Sequence, residues 1–70
     1  MPKINDIVKF VNPLTEAAEF CRQHNITGVV VRSIMGVWEI NTGFSYYIYA
    51  KQSEIEVIVT SSEIPVPEDV

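Results

Sequence analysis

TGVVVRSIMGVWEINTGFSYYIYA, residues 27–50, is the stretch that decides the fold of this 70-residue chain. Apolar and polar residues alternate through its second half, a pattern typical of strands that bury one face. Asn41-Thr42-Gly43 interrupts the alternation with residues suited to a three-residue loop, in which the glycine takes the left-handed conformation. The stretch therefore predicts a β-hairpin.

The predicted loop also gives a register for this hairpin. A loop of three residues pairs Ile40 with Phe44 and Trp38 with Tyr46. Because directly opposed residues of an antiparallel pair lie on the same face, one face is expected to be apolar. That core face comprises Trp38, Ile40, Phe44, Tyr46 and Ile48. The opposite face is expected to carry Val37, Glu39, Ser45, Tyr47 and Tyr49.

A first strand and a helix are predicted before the hairpin. Residues 4–11 alternate in character, and Asn12-Pro13 ends the strand because proline cannot continue a ladder. The helix is expected over about residues 13–24, with Asn12 or Thr15 as N-cap and Asn25 closing it. Its apolar stripe consists of Leu14, Ala17, Ala18 and Cys21.

Two more strands complete the predicted sheet. β-Branched residues predict a strand over residues 26–34, in which Gly28 suggests a bulge or a bend. Met35-Gly36 forms the turn into the hairpin. After the hairpin, Lys51-Gln52-Ser53 connects to a last strand at residues 54–60. The chain is thus expected to be mainly β (α+β), with five antiparallel strands and one short helix after the first strand.

Charge and composition bound the classes of function. The net charge is −4, and residues 61–70 hold three acids and no base. We therefore expect one domain over residues 1–60 and an acidic, proline-containing tail over 61–70 that is extended or disordered. The five basic residues are scattered, which disfavours nucleic acid as a partner. One cysteine and one histidine support neither a disulfide nor a structural zinc site. With no signal-peptide pattern and no long apolar run, a cytoplasmic protein without a membrane span is expected.

Three segments resemble those of small Src-homology-3-like (SH3-like) barrels. Asp6-Ile7-Val8-Lys9-Phe10-Val11 looks like their opening strand. Thr27-Gly28-Val29-Val30-Val31 is similar to the second strand of ribosomal, transcription-factor and photosynthetic accessory modules of this class. Glu54-Ile55-Glu56-Val57-Ile58 resembles a closing strand after a one-turn linker. The resemblance implies a five-stranded barrel. Peptide-binding domains of this type bind proline-rich ligands with a characteristic set of aromatic side chains. That set has no counterpart in this sequence, so no site residues can be assigned from the resemblance.

Two pairs of residues are candidates for catalysis, and each has a simpler interpretation. Cys21 and His24 are three apart on the predicted helix and could form a thiolate pair. A small core cysteine and a histidine at a helix C-terminus are the simpler interpretation. Glu54 and Glu56 project from one side of the last strand, where a solvated strand face is expected rather than an acid–base pair. No catalytic, metal or cofactor site is predicted.

The aromatic residues of the hairpin give the better functional signal. Tyr47 and Tyr49 are expected to point away from the core, with Val37 and Glu39 beside them. Rigid exposed rings beside an apolar neighbour suit a protein-binding surface. We therefore expect a non-enzymatic interaction module: an accessory subunit, an adaptor, or a small inhibitor of the kind that phages encode. A nucleic-acid-binding barrel and a Cys21-dependent enzyme are the alternatives. A homodimer formed through strand edges is also expected.

Overall fold

The five predicted strands and the helix are present in the predicted order. The computed structural model describes residues 2–60, so the predicted tail at residues 61–70 lies outside the described residues. In chain order the elements are β1 (Ile7–Phe10), α1 (Glu16–Gln23), β2 (Gly28–Ile34), β3 (Val37–Asn41), β4 (Ile48–Lys51), a 3₁₀ turn (Gln52–Glu54) and β5 (Ile55–Val59).

All strands are antiparallel and form a single sheet in the order β4-β3-β2-β1-β5. This confirms the predicted mainly β fold with one short helix after the first strand. Within residues 2–60 the sheet stays open, with β4 and β5 as its two edges. Closure into the expected barrel is therefore not seen.

One face of the sheet packs against α1 and forms the core. Alternate residues of the strands meet two small helix residues there. The buried set is Val8, Phe10, Ala18, Cys21, Val30, Ile40, Ile48, Ala50 and Ile55. Because α1 has only eight residues, this packing rather than helix propensity must hold it in place.

The helix is shorter than predicted because its N-cap is Thr15. The Thr15 hydroxyl accepts a hydrogen bond from the Ala18 N–H at 3.2 Å. Leu14 therefore precedes the helix and is 68% exposed, so its predicted place in the apolar stripe is wrong. At the other end Asn25 has φ 55°, as predicted, and Ile26 donates to the Cys21 carbonyl at 2.8 Å. These are the features of a Schellman motif.

The predicted three-residue loop between β3 and β4 is wrong, and the pairing register of these two strands differs from the predicted one. β3 and β4 pair Ile40 with Ile48 and Trp38 with Ala50, so the loop spans residues 42–47. Asn41 stays in the ladder, and its side-chain Oδ1 accepts a hydrogen bond from the Gly43 N–H at 2.9 Å. The Asn-Thr-Gly sequence thus begins a longer loop through an Asx turn instead of closing a short one.

The longer loop changes the positions of two predicted core residues. Phe44 still packs against the core, but it does so from the loop and is half-buried. Tyr46 is 59% exposed, so its predicted burial is wrong. Trp38 is half-buried at the margin of the core.

Gly28 is required for close packing between β2 and β3. A Cβ at this position would collide with Ile40 Cγ2 and lie 2.9 Å from Thr42 Cγ2. The register irregularity of β2 lies elsewhere, between Val30 and Arg32, and leaves Val31 as an extra residue. Gly28 therefore allows β2 and β3 to approach closely. The bulge predicted at Gly28 occurs three residues later, at Val31.

The β2–β3 turn generates a first prediction. Met35 and Gly36 have φ 52° and 82°, the positive values that a type I′ turn requires at both central positions. Met35 is 98% exposed, so its side chain contributes no packing to offset the strained backbone. We expect Met35→Asn to raise the free energy of unfolding by about 1 kcal/mol, because asparagine tolerates this conformation. Urea denaturation followed by Trp38 fluorescence measures the change.

The matched control is the neighbouring position of the same turn. No atom lies within 4 Å of a Cβ built on Gly36, so Gly36→Ala tests backbone strain alone. It should lower the free energy of unfolding by about 1 kcal/mol. A neutral Met35→Asn together with a destabilising Gly36→Ala would show that methionine carries no strain here.

Candidate functional site

The sheet face opposite the core carries one continuous row of polar and aromatic side chains. Glu39 in β3 lies directly opposite Arg32 of β2 on one side and Tyr49 of β4 on the other. Tyr47 lies two residues before Tyr49, at the end of the loop. We call Arg32, Val37, Glu39, Tyr47 and Tyr49 the outer-face cluster.

A half-buried ion pair lies at the centre of this cluster. Arg32 Nε donates to Glu39 Oε2 at 2.9 Å; the Glu39 side chain is only 3% exposed, whereas that of Arg32 is 62% exposed. This hydrogen bond raises the pKa of Arg32, and the nearby Tyr49 and Tyr47 act in the same direction. The buried carboxylate thus holds a permanently charged guanidinium at the surface of the face that carries Tyr47 and Tyr49.

The structure brings the four predicted site residues together, but not all in the expected setting. Tyr47 and Tyr49 are 42% and 50% exposed, as a binding surface requires. Val37 is half-buried beside Lys51. Glu39 is buried and accepts a hydrogen bond from the exposed Arg32.

Sequence reasoning missed Arg32, and the β2 bulge explains why. With simple alternation from Val30, the residue facing outward is Val31, and Arg32 would face the core. Because Val31 is the extra residue, Arg32 takes the outward position opposite Glu39. A bulge of this kind leaves no signal in the local sequence other than β-branched residues.

A second surface consists of aromatic rings from the helix and the loop. The ring of Phe20 lies 4.3 Å from that of His24 and 6.3 Å from that of Phe44, and Phe44 lies 5.7 Å from Tyr46. We call these four residues the aromatic row. Phe20 is 47% exposed. The hairpin register predicted in the sequence would bury Phe44 and Tyr46, and therefore concealed this surface.

Glu54 is buried, contrary to the expectation of a solvated strand face. It lies in the 3₁₀ turn and is 3% exposed. Its Oε1 accepts a hydrogen bond from the Leu14 N–H and its Oε2 one from the Lys51 N–H, both at 2.8 Å. Glu56, by contrast, is exposed and forms a 3.6 Å ion pair with Lys9. Glu54 is therefore a structural acceptor, and the two carboxylates lie in different environments.

Cys21 and His24, the candidate thiolate pair, lie in different environments. Cys21 is fully buried in the core, and burial raises the pKa of its thiol. His24 is exposed and stacks against Phe20. Beside Cys21 a cavity of about 270 Å³ opens between β1, the end of α1 and β5, lined in part by Phe10, Ile26 and Ile58.

Residues 2–60 contain no group of three or more His, Cys, Asp or Glu side chains that could hold a metal ion. Over the same range, no helix is long and apolar enough to cross a membrane.

Comparisons with known proteins add no relative: no family model, curated protein or solved structure matches this chain.

The hydrogen bonds of Glu54 generate a second prediction. Glu54→Ala leaves the N–H groups of Leu14 and Lys51 without their acceptor, and we expect a loss of about 3 kcal/mol in the free energy of unfolding. Glu54→Gln keeps one acceptor oxygen and should lose less. Glu56→Ala is the matched control and should leave the urea midpoint nearly unchanged. Equal effects at positions 54 and 56 would contradict the structural role of Glu54.

The unequal burial of the central ion pair generates a third prediction. Arg32→Met leaves a buried Glu39 carboxylate unpaired, whereas Glu39→Met leaves an arginine that water can solvate. We expect the first variant to lower the urea midpoint clearly and the second to change it little. The double variant Arg32→Met/Glu39→Met should recover the stability that Arg32→Met loses. Equal losses for the two single variants would rule out this asymmetry.

Proposed function

We propose that the chain is a non-enzymatic protein-binding module whose partner contacts the outer-face cluster. One observation carries the proposal: two exposed tyrosines lie on the same sheet face as a guanidinium that a buried carboxylate holds in place. Tyrosine and arginine are enriched among the residues that dominate binding energy at protein interfaces.

The charges and apolar residues of the cluster indicate what kind of partner surface would complement it. The exposed charges at the cluster are those of Arg32 and the neighbouring Lys51, since Glu39 is buried against Arg32. Farther along the same face, exposed Lys9 and Glu56 form an ion pair with each other. Apolar surface continues at the end of the β2–β3 hairpin, where Ile34 is 37% exposed and Met35 98% exposed. The complementary surface is therefore a protein patch with a carboxylate group flanked by apolar side chains.

The position of the helix supports this choice of face. α1 contributes Ala18 and Cys21 to the core, so it covers the sheet face opposite the outer-face cluster. Among residues 2–60, no helix lies over the cluster. The outer face is consequently open to a partner.

The SH3-like interpretation of the fold belongs to the same proposal. Its support is the chain order of strand, helix-containing excursion, three strands, a one-turn 3₁₀ linker and a last strand. We infer that the open sheet is a variant of this architecture, in which short modules act as accessory subunits, adaptors or inhibitors that dock on a larger protein.

Affinity purification with paired variants tests the proposed function. A tagged chain and its Tyr47→Ala/Tyr49→Ala variant would be used as baits in lysate of the source cells. We expect the variant to lose a protein that the unmodified chain retains, because the two rings provide most of the exposed aromatic area of the cluster. Tyr46→Ala is the control, since this tyrosine is more exposed than Tyr47 and Tyr49 but belongs to the aromatic row. Lys51→Glu should also weaken retention, because it repels a carboxylate.

Two outcomes would contradict the proposal. One is an unchanged set of retained proteins with the double variant. The other is loss of the same protein with Tyr46→Ala alone, which would place the contact on the aromatic row. Circular dichroism of each variant shows that loss of retention does not arise from unfolding.

A further inference from the structure

The β2–β3 turn determines which way the backbone groups of β3 point. In a two-residue hairpin the residues flanking the turn, Ile34 and Val37, exchange their ladder hydrogen bonds. The N–H and C=O groups of Val37 therefore face β2. Because these groups alternate along a strand, those of Glu39 also face β2, and those of Trp38 and Ile40 face β4.

The same alternation leaves the backbone of Tyr49 unpaired at the sheet edge. On β4, Ile48 and Ala50 are opposite Ile40 and Trp38, so their backbone groups face β3. The groups of Tyr49 and Lys51 consequently point outward. An independent contact agrees: the Lys51 N–H donates to Glu54 Oε2 instead of to β3. Among residues 2–60, no strand pairs with this side of β4.

The opposite edge of the sheet carries two features that block strand addition. β5 has an extra residue, Ile58, between the positions that pair with β1. It also presents Glu56, which is held in an ion pair with Lys9. Bulges and charged side chains protect the edge strands of natural sheets. β4 has neither feature over residues 48–50.

We propose that a second copy of the chain pairs with β4 in an antiparallel arrangement, with Tyr49 opposite Tyr49 of the second copy. The outward N–H and C=O of one Tyr49 then bond to the C=O and N–H of the other, as a two-fold axis requires. The contact uses backbone groups at the edge and does not depend on the protein-binding proposal.

This register is chemically complementary. Tyr47 falls opposite Lys51 of the second copy, so each ammonium meets a phenol ring rather than a like charge. The Lys51 N–H already donates to Glu54 Oε2, so it cannot pair with the second copy. The strand pairing between the two copies therefore ends at this residue. The pairing involves only residues 47–51 of each copy, so the interface is small and belongs to the weak, transient class. We therefore expect a dissociation constant of roughly several hundred micromolar.

Sedimentation of the full 70-residue chain tests the dimer. Over a concentration series reaching 1 mM or roughly that level, we expect reversible association between monomer and dimer. Tyr49→Ala removes the ring but keeps the backbone groups and should weaken dimerisation only about threefold. Tyr49→Pro also removes the outward N–H without removing a ladder bond to β3, and should weaken dimerisation by at least about tenfold. Circular dichroism verifies that the proline variant is folded.

A cross-linking experiment tests the register without relying on the proline variant. Tyr49→Cys places two thiols opposite each other, with Cα atoms about 5.5 Å apart, so a short bis-maleimide should link them. Glu56→Cys on the β5 edge is the control and should stay unlinked; Cys21 is buried and should not react. A monomer at every concentration, an equal effect of Tyr49→Ala and folded Tyr49→Pro, or preferential linking at position 56 would each overturn the proposal.

Discussion

The hydrogen bonds accepted by buried Glu54 hold together segments that are far apart in the sequence. The carboxylate accepts the N–H of Leu14 before the helix and that of Lys51 at the end of β4. The Glu54 carbonyl in addition accepts the N–H of Val11, at 2.8 Å, and that of Asn12 after β1. One residue of a 3₁₀ turn therefore joins the end of β1, the entrance to α1 and the end of β4. A chain of this size buries only about 60% of its unfolded surface, so polar contacts that join separate segments matter more than in a larger domain.

The sequence predicts the faces of the strands better than it predicts their pairing. The predicted register paired Trp38 with Tyr46, and the structure pairs it with Ala50. This is a shift of four residues, and an even shift keeps each strand residue on its own face because side chains alternate with a period of two. Ile40 and Ile48 are therefore buried, and Tyr49 is exposed, in spite of the wrong loop. Two hairpin residues are in an environment different from the predicted one: Tyr46 lies in the loop and is exposed, and Glu39 keeps its face of β3 but is buried.

The candidate site was predictable to the extent that it follows this alternation. Val37, Tyr47 and Tyr49 carry a signal in the sequence because they lie out of phase with the core residues. Arg32 and the burial of Glu39 carry none, since both depend on the extra residue Val31 and on a partner from a neighbouring strand. Glu54 is similar: nothing in its local sequence distinguishes it from Glu56, and its burial depends on Leu14, which lies 40 residues away.

We propose that the Arg32–Glu39 pair serves recognition rather than stability. A buried carboxylate loses hydration, and apolar residues of similar volume usually stabilise a fold as well as or better than such a pair. The hydrogen bond to buried Glu39 instead restricts the position of Arg32 on the face that carries Tyr47 and Tyr49, which would reduce the entropy lost in the proposed binding of a partner. A sheet that gained only stability from this position would favour a β-branched apolar residue opposite Tyr49. A glutamate at position 39 therefore agrees with the proposed protein-binding role of this face.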